Sequence, residues 1–190
     1  DAQASLVARW KLIGFIHGVM NTDNTSICGE TIDYGPCAFM DTYHPSTVYS
    51  SIDHGGRYAY ANQAPIAHWN LAGFAQTLIP LIDTDSAQSL ELAQDRVNTF
   101  PAKFEAAYND GAREKLGLEI NKQSDPTLME ELLATMAENQ ADFTLVFRRL
   151  SRLARDDDSL DDAVRELFKD PAAFDQWAVQ WRARLRDEPR

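Results

Sequence analysis

Between His17 and Pro36 the chain reads HGVMNTDNTSICGETIDYGP. Asp23 and Asn24 are adjacent, and the triplet Asp33-Tyr34-Gly35 begins nine residues after Asn24. An amide oxygen and a carboxylate are the hard donors that Mg²⁺ takes, with phosphates and water completing its shell. A carboxylate beside a metal ligand can orient or deprotonate a hydroxyl. Asn24 and Asp33 are therefore candidate metal ligands, Asp33 also reaching nucleotide phosphates. Asp23 is the candidate proton acceptor, and Gly35 permits the turn after the ligand. That set is what phosphoryl-type transfer from a nucleotide requires.

These residues need elements to hold them. Leu6, Trp10, Ile13, Gly14 and His17 share one helical face, so the pattern predicts a helix from about Ala4 to His17 that delivers His17 to the loop, with Gly18 ending it. Two β-prone runs, Thr25–Cys28 and Thr31–Ile32, predict a tight hairpin through Gly29-Glu30. Residues 41–64 lack periodicity and read as a long irregular connection, uncommon unless functional. Helix returns from Ile66 to Ile82; it is apolar on most sides, which predicts a buried central helix, ended or kinked at Pro80. Leu90, Ala93, Val97, Phe100, Phe104 and Tyr108 continue at helical spacing with a kink at Pro101. Asp125-Pro126 and Asp170-Pro171 read as helix starts, and Ser159 with Asp162 as a capping box. Phe143–Leu153 and Phe174–Leu185 are further amphipathic helices, the Trp177/Trp181 face being core. The fold expected is mainly α with a small β-hairpin.

A chain of 190 residues with 44% hydrophobic and 25% charged residues suits one globular domain. Its net charge of -11 disfavours nucleic acid and anionic membranes as partners. No apolar run reaches membrane-span length, and the start lacks the order of a signal peptide. Cys28 and Cys37 read as small, partly buried thiols rather than a disulfide or zinc pair. His17 reads as structural, bonding loop backbone. His44, His54 and His68 lack metal-ligand spacing. Arg57 is read as a structural ion pair or as a phosphate or protein contact. Gln63, Trp69 and Asn70 are placed to brace the loop from the following helix. The acidic run Arg155–Asp158 with Asp161 and Asp162 lacks the spacing of a calcium loop and reads as a solvated connection.

The order helix, His17, Asn24, hairpin, Asp33-Tyr-Gly is that of a kinase-like catalytic segment. The base of the His-Gly-Asp pattern is missing, because Val19 stands there. HGVMNTDNTS, IDYGP and the later GRYAYANQ and WNL resemble the selenoprotein O family, protein adenylyltransferases with a kinase-like fold. The resemblance covers essentially the whole chain. It implies Asp23 as proton acceptor, Asn24 as a Mg²⁺ ligand (Mn²⁺ possible), and Asp33 as the Mg²⁺ ligand that also contacts ATP. It implies transfer of AMP from ATP to Ser, Thr or Tyr hydroxyls of proteins, with ATP bound in an orientation flipped from that of ordinary kinases.

On this reading residues 1–190 form a single domain, the kinase-like C-terminal lobe. The catalytic loop and metal-binding hairpin occupy 17–36 and the helical remainder 62–190. An N-terminal lobe and a C-terminal tail are absent, and the fragment is expected to be inactive in isolation. A bacterial, cytoplasmic setting is expected. Two other readings stay open: protein or small-molecule phosphotransfer on the same scaffold, and a non-catalytic helical module that binds proteins.

Overall fold

The computed structural model describes residues 1–189. It divides into two compact units, Asp1–Ala38 with Val48–Tyr108, and Phe39–Thr47 with Asn109–Arg190. As expected, the chain is mainly helical with one small sheet.

The first unit opens with α1 (Ala2–Leu12), which buries Ala4, Val7, Ala8 and Trp10. The helix stops short of His17, because Gly14 takes a left-handed φ of 71° that only glycine adopts without strain. A two-residue strand, β1 (Phe15–Ile16), follows and pairs with β2 (Ala38–Phe39). The expected hairpin does not form: residues 25–28 and 31–32 hold no strand. Those runs are too short to nucleate a ladder alone, and the loop's polar side chains bond backbone instead.

After a long irregular stretch and a 3₁₀ turn at Tyr60–Asn62, α2 runs from Gln63 to Ile82. It passes through Pro80 without ending there. Pro80 removes one bond to the carbonyl of Gln76, an exposed residue, and stands in the last turn of the helix. The helix is not buried all round. Gln63, Ala64, Ala67 and Asn70 are buried, while Trp69, Phe74 and Leu81 are exposed. The expected single run over residues 90–108 is two helices, α3 (Ser86–Asn98) and α4 (Phe100–Leu116), with Pro101 in the first turn of α4, where its missing N–H costs nothing. Trp10, Phe15, Met20, Ala67 and Phe100 form the heart of this unit's core. Lys11 lies over the rings of Tyr60, Phe104 and Tyr108, and burial pushes its pKa down.

The second unit contains α5 (Asp125–Asn139), α6 (Phe143–Leu150), α7 (Asp162–Arg165) and α8 (Pro171–Leu185). Residues 39–47 join it through a bridge between Thr42 and Asp142 and stacking of Tyr43 on Phe143. Asp170 caps α8 by accepting the Ala172 N–H, as its Asp-Pro start predicts. Asp125 does not cap α5. Ser124 holds that position, and Asp125 is instead buried against Arg184 at 2.7 Å. The capping box of Ser159 and Asp162 is also absent, Asp161 preceding α7 without a side-chain cap; Asp161 pairs with Arg182 instead. Trp177 and Trp181 are core, stacked at 5.7 Å, with their indole N–H groups donating to Leu128 O and Leu116 O at 2.9 Å. Among the described residues no helix is long and apolar enough to cross a membrane.

Candidate active site

The loop from His17 to Cys37 leaves one strand of the sheet and returns to the other, so pairing of β1 with β2 closes its base. Gly18, at φ 85°, packs so tightly on Pro36 that a Cβ there would lie 3.0 Å from the Pro36 carbonyl oxygen. His17 is buried, and its Nε2 lies 2.7 Å from Ile32 O. A carbonyl accepts only, so the proton sits on Nε2. His17 is thus a strut for the arm carrying Asp33, the structural role expected of it.

Other struts come from the helices. Gln63 accepts the His17 N–H and donates to Phe15 O, both at 3.0 Å. Asn70 donates from Nδ2 to Met20 O and Thr25 Oγ1, both at 3.0 Å. From α1, Trp10 donates to Thr31 Oγ1 at 2.9 Å, and Gln3 donates to Ser26 O. The loop is pinned along most of its length.

The three chemistry-bearing residues sit between these pins. Asp23 and Asn24 lie in a 3₁₀ turn, Thr22–Asn24. Asn24 donates from Nδ2 to Val19 O at 3.0 Å. That bond uses the amide's donor and leaves Oδ1, the atom a metal would take. Asp23 and Asp33 are exposed, and among the described residues neither carboxylate is engaged in an ion pair. Asp33 has a left-handed backbone, φ 56°, with the Gly35 N–H closing a turn onto its carbonyl at 2.8 Å. Such a conformation is uncommon outside glycine and collects at functional sites. Sequence reading had no signal for it beyond the following Gly35.

Two features of the site escaped the sequence reading. Tyr58 donates its hydroxyl to Asn21 Oδ1, tying the irregular stretch to the loop. Trp69 does not brace the loop: it is 57% exposed and carries the Arg57 guanidinium, 4.9 Å from its ring centroid. Arg57 forms no ion pair among the described residues. His44 caps Ser46 N–H, and His68 stacks on Phe100. Both cysteines are free, Cys28 exposed rather than partly buried. No three His, Cys, Asp or Glu side chains cluster as a metal cage among the described residues. An Asn and an Asp on one loop fit an ion that fills its shell from phosphates and water, as Mg²⁺ does with nucleotides.

The family model described as "Protein adenylyltransferase SelO" matches residues 1–190. Relatives named "Protein nucleotidyltransferase YdiU" are 59% identical in Bradyrhizobium diazoefficiens and 56% identical in Methylorubrum extorquens, each over 98% of this chain. One from Nitrobacter hamburgensis is 54% identical over 100% of it. The chain spans 38% of the length of the first two and 37% of the third. With the pinned loop, its Asp-Asn pair and its Asp-Tyr-Gly triplet, these matches establish that the chain belongs to the SelO family of protein adenylyltransferases.

Proposed function

We propose that the chain is the kinase-like C-terminal lobe of a protein adenylyltransferase and carries the metal and proton-transfer half of its active site. In the full-length protein an acceptor hydroxyl of Ser, Thr or Tyr attacks the α-phosphorus of ATP. The new O–P bond forms as the bond to the β-phosphate oxygen breaks; pyrophosphate leaves, and the hydroxyl proton goes to the Asp23 carboxylate. Mg²⁺, or Mn²⁺, supplies neutralisation of the phosphate charge. Asn24 Oδ1 and Asp33 would hold the ion, and Asp33 would also contact ATP.

One observation carries this reading. The loop is fastened through His17, Gln63, Asn70 and Trp10, whereas among the described residues Asn24 Oδ1 and the carboxylates of Asp23 and Asp33 have no partner. A turn segment serving structure alone would spend these polar groups on its own backbone. Fixed backbone with free oxygen donors is the preorganisation that transfer of a charged group needs.

Half a nucleotide cleft leaves phosphate charge uncompensated, so the 190-residue chain alone binds Mg-ATP weakly and transfers no AMP. ATP labelled separately at the α- and γ-phosphate, offered to the full-length protein with protein acceptors, tests the chemistry. Transfer of α-label that is lost in Asp33→Ala supports AMP transfer. Transfer of γ-label alone makes the protein a kinase.

A further inference from the structure

Arg57 is held in place and yet unpaired. Arg149, Arg165, Arg182 and Arg184 each hold a carboxylate. Arg57 has none among the described residues. Its guanidinium instead lies against Trp69 at 4.9 Å and Tyr58 at 5.7 Å from the ring centroids. Its root is fixed too. The two oxygens of Asp53 accept the N–H groups of Arg57 and Tyr58, both at 2.8 Å. Asp53, the nearest acid in sequence, is therefore committed to backbone.

This cation is wired to the catalytic loop twice. Tyr58, under the guanidinium, donates to Asn21, two residues before Asp23. Trp69, the other platform, adjoins Asn70, which holds Met20 and Thr25 on either side of the turn. Both links reach the part of the loop that bears the proton acceptor, not the arm that bears Asp33. A preorganised guanidinium with free donors is a fork for a carboxylate or phosphate. Arg9, Arg96, Arg148 and Arg152 also hold no carboxylate among the described residues; Arg57 is set apart because two aromatic faces fix its guanidinium while its donors stay open to an anion that arrives from elsewhere.

We propose that Arg57 is a specificity-determining residue that binds a carboxylate of the acceptor protein, close in sequence to the hydroxyl presented to Asp23. The proposal rests on the adenylyltransferase reading for the identity of that acceptor.

The test uses the full-length protein and two fluorescent peptide pools. Both contain Ser, Thr and Tyr; one carries Glu at the flanking positions and the other Gln. Binding is read by anisotropy and transfer by α-label. Wild type should bind the Glu pool about tenfold more tightly, the scale of one charge-assisted pair. Arg57→Gln should erase that preference and leave binding of the Gln pool unchanged, while Arg57→Lys, which keeps charge but loses the fork, should retain part of it. The KM for ATP should be the same in all three. Equal binding of the two pools by wild type, or a preference that survives Arg57→Gln, overturns the proposal. So does a raised KM for ATP with the peptide preference intact, which makes the anion a nucleotide phosphate. Absence of α-label transfer by wild type would sink the adenylyltransferase reading, while the anisotropy arm would still decide on Arg57.

Discussion

Gln63 and Asn70 lie seven residues apart on α2, both buried, and grip one loop at two successive points. Seven residues are two helical turns, so the two amides project from one face. Gln63 holds the loop's entry at Phe15 and His17, and Asn70 holds the turn that contains Asp23 and Asn24. Gln63→Leu strips the side-chain partner from the buried His17 N–H and removes a bond to the Phe15 carbonyl, and should cost about 2–4 kcal/mol, two hydrogen bonds and one orphaned donor. Asn70→Ala should destabilise less, by about 1–2 kcal/mol, yet cut α-label transfer by about 10- to 100-fold, because it releases the catalytic turn. Urea unfolding and transfer rates of the full-length variants check both. Stability loss without the extra loss of activity at Asn70 would reduce it to a packing residue.

The bracing role of Gln63 and Asn70 was legible in the sequence, since buried amides at that spacing on an apolar helix need partners. So were the cap at Asp170 and the core face of Trp177 and Trp181. What failed was judged from local propensity. The runs Thr25–Cys28 and Thr31–Ile32 favour strand, but tertiary bonds from Trp10, His17 and Asn70 hold them as loop. Asp125 has the composition of a cap and serves as an ion partner for a residue 59 positions away. Arg57 on Trp69 could not be read at all, because the contact joins an irregular stretch to an exposed helix face.

Asp125 and Arg184 form a buried pair, their side chains 1% and 8% exposed. Burial pushes the Asp125 carboxyl up, but the Arg184 guanidinium and the Lys122 backbone N–H hold it below its ordinary value. Arg184→Met strands a buried carboxylate and should cost about 3–5 kcal/mol, whereas a double replacement by Leu and Met should cost less. The sign with pH follows. In wild type the contribution of Asp125 is present above pH 3.8 and is lost as pH falls through its lower folded value. In Arg184→Met burial remains, opposed only by the Lys122 N–H and the Arg113 charge, so protonation relieves the penalty and the gap from wild type narrows on acidification through pH 3.8. Denaturation midpoints at pH 3 and pH 7 measure it; a gap that does not shrink would show that Asp125 is not the stranded charge.

Lys115 presents the opposite case. Its ammonium lies over Phe147 at 4.1 Å and Phe143 at 5.5 Å, and burial pushes its pKa down from 10.5 to about 8. The folded state therefore releases this proton before the unfolded chain does. Stability from this group rises with pH between about 8 and 10.5 and is lowest below 8. Lys115→Met keeps the apolar stem and removes the titration. The variant should be more stable than wild type at pH 7, and the difference should fade by pH 10. Paired denaturant titrations read this directly, and a pH-independent difference would assign the effect to packing alone.

Asp33 and Asp23 should fail in different ways, and the backbone of Asp33 dictates how to ask. At φ 56° an alanine carries about 1–2 kcal/mol of strain, so Asp33→Ala perturbs the loop as well as the ligand. Asparagine tolerates the left-handed region and keeps a neutral oxygen, so Asp33→Asn isolates the charge. It should raise the KM for Mg-ATP while leaving the melting temperature near that of wild type. Asp23 has ordinary turn geometry, and Asp23→Asn removes only the proposed proton acceptor. That variant should bind Mg-ATP within about twofold of wild type and lose about 10²- to 10⁴-fold in kcat, the span of general-base contributions. Nucleotide titration with α-label kinetics on the full-length variants separates the two. If Asp23→Asn weakens nucleotide binding and Asp33→Asn does not, the metal lies on Asp23 and the assignment of the two carboxylates is reversed.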